Sequence, residues 1–145
     1  MLLCSELKHV DVICLTEHWQ SYQKLICTNI VDFKLVTAFC RSSSEHGGSG
    51  TDVKDGFETK EISYFAGISE EKIFEKSLIE LPRYKLCIVC IYRSPDRQFG
   101  KFLNKLELVI QKLLMKDKIL NFLHEDSNQK DLTDLLLSYN LVNTV

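Results

Sequence analysis

Asp11-Val12-Ile13-Cys14-Leu15-Thr16-Glu17-His18-Trp19 is a short apolar run that ends in a carboxylate, an imidazole and the chain's single tryptophan. Four successive apolar residues behind an acidic turn residue predict a strand buried on both faces rather than an amphipathic helix. Glu17 then stands at the carboxyl end of that strand. In open α/β architectures ligand chemistry gathers at such ends, because the strand fixes the side chain while the loop leaves it accessible. A glutamate there is equally at home as a solvated loop residue, and the local pattern leaves both readings open.

Toward the amino terminus, Leu2, Leu3 and Leu7 fit one face of a short helix running to about Lys8. In the other direction Ser21 is placed to cap a helical turn through Ile26, and Phe33 to Phe39 is a second β-rich run. Residues 41–56 read as a break in regular structure. They contain Ser42-Ser43-Ser44-Glu45-His46-Gly47-Gly48-Ser49-Gly50, and Ser49-Gly50-Thr51-Asp52 supplies polar and flexible residues where a strand wants β-formers. Phe74 to Leu81 and Lys85 to Tyr92 predict two strands joined as a hairpin through Pro82-Arg83-Tyr84.

After a turn at Arg93-Ser94-Pro95-Asp96 comes the clearest helix. Phe99, Phe102, Leu103, Leu106, Val109, Ile110, Leu113 and Leu114 recur at the spacing of a core-facing stripe, and Lys101, Asn104, Lys105, Glu107, Gln111 and Lys112 form a solvated face. A charged link leads to the short apolar segment Ile119-Leu120-Asn121-Phe122-Leu123. A last helix is predicted from near Ser127 or Asn128, with Leu132, Leu135, Leu136 and Tyr139 as its apolar stripe.

With 145 residues, 45% of them hydrophobic and 26% charged, the chain has enough apolar material for one domain over residues 1–145. A net charge of −2 and a pI near 6.1 give no global electrostatic footprint for nucleic acid. Polyanion binding would have to come from a local site or a bound cation. There is no apolar run of membrane-spanning length, and Met1-Leu2-Leu3-Cys4-Ser5-Glu6 turns acidic too soon for a signal peptide. Six cysteines scattered through apolar runs read as reduced, buried thiols. The expectation is an intracellular protein, nuclear or cytoplasmic, neither secreted nor membrane-bound. Cys87-Ile88-Val89-Cys90 matches C-x-x-C, but in a strand positions three apart face opposite ways, so one metal ion could not take both.

Asp11 to Trp19 and Ile91-Tyr92-Arg93-Ser94-Pro95, with Phe39-Cys40-Arg41-Ser42 and His46-Gly47-Gly48 between them, resemble the endonuclease/exonuclease/phosphatase superfamily. The similarity is to the apurinic-type endonuclease domain that precedes reverse transcriptase in insect non-LTR retrotransposons. It extends to Lys130-Asp131-Leu132-Thr133-Asp134-Leu135-Leu136 and Ser138-Tyr139-Asn140-Leu141. The resemblance implies an α/β (α+β) fold, a four-layer sandwich of two mixed sheets with outer helices. It also implies Mg²⁺-dependent hydrolysis of DNA phosphodiester bonds, with Glu17 as metal ligand, Tyr92 contacting the phosphate and Arg93 beside the phosphodiester. Those residue types suit phosphodiester chemistry, because a hard cation takes carboxylate oxygen, and a phenol and a guanidinium add donors to non-bridging oxygens.

The family's Gly-Asp-Phe-Asn-like segment, whose Asp orients the attacking water, is not found where Lys118-Ile119-Leu120 runs into Asn121-Phe122-Leu123-His124. A first strand with a metal-site asparagine and a closing Ser-Asp-His-like triplet are not found in residues 1–145 either. The four histidines, His9, His18, His46 and His124, stand outside those motifs and lack an orienting carboxylate in sequence. Residues that act as one catalytic unit fail together. The expectation is therefore a truncated, degenerate endonuclease-like domain with weak Mg²⁺ binding and lost hydrolysis. The competing expectation is a non-catalytic nucleic-acid-binding or interaction module that keeps the sandwich.

Overall fold

A computed structural model describes residues 7–44, 46–62, 65–95, 98–116 and 130–141. Within them, β1 (Val12–Thr16), β2 (Phe33–Phe39) and β3 (Ser49–Lys54) make one sheet in the order β1-β3-β2. The second sheet is β4 (Lys60–Glu61), β5 (Glu75–Leu81) and β6 (Leu86–Tyr92), in the order β4-β5-β6. Three helices, α1 (Tyr22–Cys27), α2 (Phe99–Leu114) and α3 (Lys130–Ser138), complete a mixed α/β fold of the α+β kind. Leu7–His9 is a 3₁₀ turn, while Leu2, Leu3 and the 119–123 segment lie outside the described residues.

Both sheets are antiparallel at every described pairing, where mixed sheets are expected from the resemblance. For β5 and β6 the connection accounts for this. Parallel neighbours need a crossover of a dozen residues or more, whereas β5 turns into β6 through a 3₁₀ turn at Pro82–Tyr84 and a left-handed Lys85 at φ 51°. Ser21 caps α1 by accepting from Lys24 N at 3.4 Å, as its position predicts.

Residues 49–54, expected to be loop, are instead the central strand of the first sheet, and Ser49, Thr51, Asp52 and Val53 are all buried. Hydrogen bonding from both sides outweighs the poor strand propensity of Ser49-Gly50-Thr51-Asp52. β3 pairs with β1 from Val12↔Val53 to Thr16↔Ser49 and with β2 from Phe33↔Lys54 to Phe39↔Ser49. The Thr51 hydroxyl is satisfied across the sheets by Ser77 Oγ at 2.7 Å. The converse correction applies to β1, which is an edge strand and not buried on both faces. Cys14 and Thr16 are exposed and the remaining residues only partly covered, because among the described residues β1 has a partner on one side alone.

The sheets face each other, with β2 and β3 against β5, and β1 and β3 against β6. Strand alternation divides β5 and β6 between two environments. Ile79 and Leu81 meet Val53 between the sheets, joined by Val12, Val36, Leu86 and Ile88. Leu78 and Cys87 point the other way, into the larger core under α2 and α3, where Phe102, Leu106, Val109, Ile110, Leu113, Leu132 and Leu136 are buried. The predicted stripe of α2 is thus its buried face, apart from Leu114, which is exposed. Its solvated face is partly recruited. Tyr139 Oη donates to Glu107 Oε1 and Gln111 Nε2 donates to Tyr139 Oη, each at 2.9 Å, so α3 is fastened as well as packed.

Candidate functional site

Glu17 lies just beyond β1 in the left-handed region, φ 53°, and Trp19 repeats the feature at φ 55°. Non-glycine residues hold such backbone only when neighbours fix it, at about 1 kcal/mol or more each. The fixing groups are the backbone carbonyls of Gly48 and Gly47, which accept from Glu17 N at 3.0 Å and Trp19 N at 3.1 Å. The two glycines are themselves constrained. They sit at φ 97° and 100° respectively, and a Cβ would strike the Arg41 guanidinium at Gly47 and the His18 ring at Gly48. His46-Gly47-Gly48 is therefore a cradle that sets the strand end carrying Glu17.

Beneath it is a fully buried carboxylate that the sequence pattern does not single out. Glu75, the first residue of β5, accepts from Arg41 Nε at 2.5 Å, from Gly48 N at 2.5 Å and from Lys72 N at 2.6 Å. Arg41 is its counter-charge, with a side chain 6% exposed. Arg41 Nη1 donates to Ser44 Oγ at 3.3 Å, and Arg41 Nη2 is buried without a partner. The guanidinium carbon lies 5.9 Å from the centre of the Tyr92 ring. A signal is available in Phe39-Cys40-Arg41-Ser42, but nothing in sequence pairs Arg41 with a glutamate at the start of a distant strand.

Tyr92 ends β6 on the face turned to the first sheet and donates from Oη to Glu17 Oε1 at 2.5 Å. The two predicted site residues thus meet, across 75 positions of sequence. Burial pushes the Tyr92 phenol up to about 12, and the Glu17 acceptor and its charge add to the shift while Arg41 opposes it. Arg93 is not brought to them. One residue further along, it faces the helix side, with its guanidinium 5.2 Å from the Phe99 ring centre and 5.7 Å from Phe102. Its Nη1 donates to Ser94 O at 3.2 Å.

The histidines hold structure here. His18 Nε2 donates to Phe39 O at 3.1 Å while Nδ1 accepts from Gln20 N at 3.1 Å, so both ring nitrogens are engaged by backbone. His46 meets Trp19 edge to face at 4.6 Å between ring centres, beside an indole that is 57% exposed. His124 lies outside the described residues. The rim is completed by Glu71, which accepts from Ser42 N at 2.5 Å, Ser42 Oγ at 2.9 Å, Ser43 N at 3.2 Å and the Ser43 hydroxyl. Those donors, the Ser43 hydroxyl first, hold its carboxyl down to about 2.

Glu17 is exposed, and with Oε1 taken by Tyr92 it keeps one oxygen for a cation. Glu75 cannot join it, since Arg41, Gly48 and Lys72 already occupy its oxygens. Among the described residues no group of three or more His, Cys, Asp or Glu side chains is placed to hold a metal ion. The donor set suits a single-carboxylate contact to a mostly hydrated Mg²⁺, weak by coordination number. A cavity of about 450 Å³ lined by Phe57, Glu58, Arg83 and Tyr84 lies at the far end of β3, away from Glu17.

No family model, curated protein or solved structure matches the chain. Among the described residues no helix is long and apolar enough to cross a membrane.

Proposed function

We propose that this chain is a degenerate endonuclease/exonuclease/phosphatase-like domain, related to the apurinic-type endonucleases of non-LTR retrotransposons, that keeps a phosphate-facing corner and has lost hydrolysis. In this reading the two sheets are the inner layers of an incomplete four-layer α/β sandwich, with α1 outside one sheet and α2 and α3 outside the other. The observation that carries the proposal is the 2.5 Å hydrogen bond from Tyr92 to Glu17, which unites the residues assigned to metal and phosphate by the resemblance. Mg²⁺ held at Glu17 would supply charge neutralisation to a DNA phosphate. The chain's own residues would fix Glu17 through Gly48 and Glu75, and the Tyr92 phenol would reach a phosphate only by turning its one proton from Glu17 to it.

Hydrolysis needs more than this corner. Between Lys118 and His124 no Gly-Asp-Phe-Asn-like segment supplies a water-orienting Asp. Glu75 is spent on Arg41, and both nitrogens of His18 are occupied, so neither is available as a base beside Glu17. Arg93, stacked on α2, does not add its charge.

Nicking of supercoiled plasmid with Mg²⁺, comparing wild type with Glu17→Gln, tests the loss of activity. Equal background from both proteins is expected. Nicking by the wild type that Glu17→Gln abolishes overturns it. A second reading, a non-catalytic nucleic-acid-binding module, is favoured by Trp19, whose half-open indole is held at the rim by its backbone bond to Gly47. The single tryptophan reports directly on it. Oligonucleotide binding should quench its fluorescence with an affinity that falls as salt rises, and a folded sample with no salt-dependent quenching excludes that module.

A further inference from the structure

Between the sheets, beneath the Glu17 corner, lies a set of short polar side chains that the proposed function does not use. Strand register places Cys14 opposite Thr51 in the first sheet and Ser77 opposite Cys90 in the second. Directly opposed residues project to the same face of their sheet. Thr51 Oγ1 and Ser77 Oγ touch across the gap at 2.7 Å, so that shared face is where the sheets meet. Cys14 and Cys90 are the remaining two corners of this four-residue contact. Cys90 Sγ also lies 3.5 Å from Leu15 O, the carbonyl of the residue after Cys14.

Both residues are thiols, Cys14 exposed on the open edge of β1 and Cys90 buried. An outside reagent can therefore reach one, and only the other is positioned to complete a reaction. The neighbouring Cys90 side chain brings Cys14 down to about 7 against the opposing effect of burial, while Cys14 and burial move Cys90 upward. The Thr51 hydroxyl assists at Cys14. A sulfur so disposed is partly thiolate near neutrality, the nucleophilic form. Cys40, by contrast, is pushed up by burial.

We propose that Cys14 and Cys90 form an oxidisable dithiol, a modification site at which a small-molecule disulfide of the glutathione class produces a covalent bond between the two sheets. The Cys14 thiolate attacks one sulfur of oxidised glutathione; the S–S bond breaks, a Cys14–glutathione mixed disulfide forms and one glutathione thiolate leaves. Cys90 gives its proton to solvent and attacks the Cys14 sulfur, expelling the second glutathione. The chain loses two electrons and two protons, and one oxidised glutathione becomes two reduced ones. The bond would tie β1 to β6 three residues before Glu17 and two before Tyr92.

The test uses the whole chain with oxidised glutathione, followed by alkylation, intact mass measurement and peptide mapping. Expected are loss of two hydrogens, a Cys14–Cys90 linked peptide, and a melting temperature raised by roughly 5–10 °C that reductant reverses. In Cys90→Ser the glutathione adduct should stay on Cys14. In Cys14→Ser the buried Cys90 should remain unmodified, which keeps the test decisive if Cys90→Ser does not fold. The inference is overturned if wild-type Cys14 holds glutathione as persistently as Cys90→Ser does, if it links to another cysteine, or if it does not react. None of these readouts depends on DNA or nuclease activity.

Discussion

Tyr92 carries the most direct physical signature of the site. Its phenol is protonated in the fold up to about 12 instead of the ordinary 10.0, with burial as the leading cause and the Glu17 carboxylate next. Because the folded value is raised, the stabilisation tied to the protonated phenol is complete below pH 10 and lost as pH climbs through 12. Ultraviolet titration of wild type against Tyr92→Phe should isolate one tyrosine that ionises late. Glu17→Gln should bring that ionisation down without restoring 10.0, since burial remains. If Glu17→Gln leaves it unmoved, the 2.5 Å contact is not formed in solution. The same neighbourhood explains what is legible residue by residue. Glu17 and Tyr92 stand out because each ends a strand of strong pattern. The resemblance assigns Arg93 to the same place, yet strand alternation sends adjacent side chains to opposite faces, and its stacking on Phe99 and Phe102 follows from that.

Elements differ in how far their residues announce them. α2 is readable because its apolar stripe matches the helical period, and β2 because its run is rich in β-formers, and their observed bounds agree. β3 is not, because it is held by partners rather than by propensity. Its hydroxyls and glycine suit a strand that receives two ladders and packs against Ser77 and Leu25, facts that live elsewhere in the chain. Glu75 at the start of β5 follows the same logic, an acidic residue that looks solvent-facing in sequence and is wholly buried in the fold. Its pairing with Arg41 implies a large asymmetry. Glu75→Gln leaves the Arg41 guanidinium buried without a counter-charge and should cost about 3–5 kcal/mol. Glu70→Gln, which breaks the half-exposed pair with Lys105, should cost no more than about 1 kcal/mol. Urea midpoints for the two variants check the ratio, and equal losses would mean that the Arg41–Glu75 pair is solvated.

For the molecule as a whole, two carboxylates at different depths set opposing trends with acid. Glu71 fastens the segment after β2, accepting from Ser42 and Ser43, and its folded value near 2 lies below the ordinary 4.5. A depressed folded value means that this contribution is present above pH 4.5 and lost as pH falls to 2. Asp52 lies buried on the central strand and is raised from 3.8 by that burial. Its stabilising form is the neutral acid, complete below pH 3.8 and lost as pH rises through the folded value, so at neutral pH its charge is a burden on β3. Thermal midpoints measured from pH 7 to pH 2 should separate the two. Glu71→Gln should flatten the fall between pH 4.5 and 2, because no carboxylate remains there to be protonated. Asp52→Asn should raise the midpoint at neutral pH and remove the relief that wild type gains on acidification. Parallel curves for wild type and Glu71→Gln would show that the Ser42–Ser43 clasp does not hold the fold. An unchanged neutral midpoint in Asp52→Asn would place that carboxylate in water and take from β3 the one buried charge that opposes it.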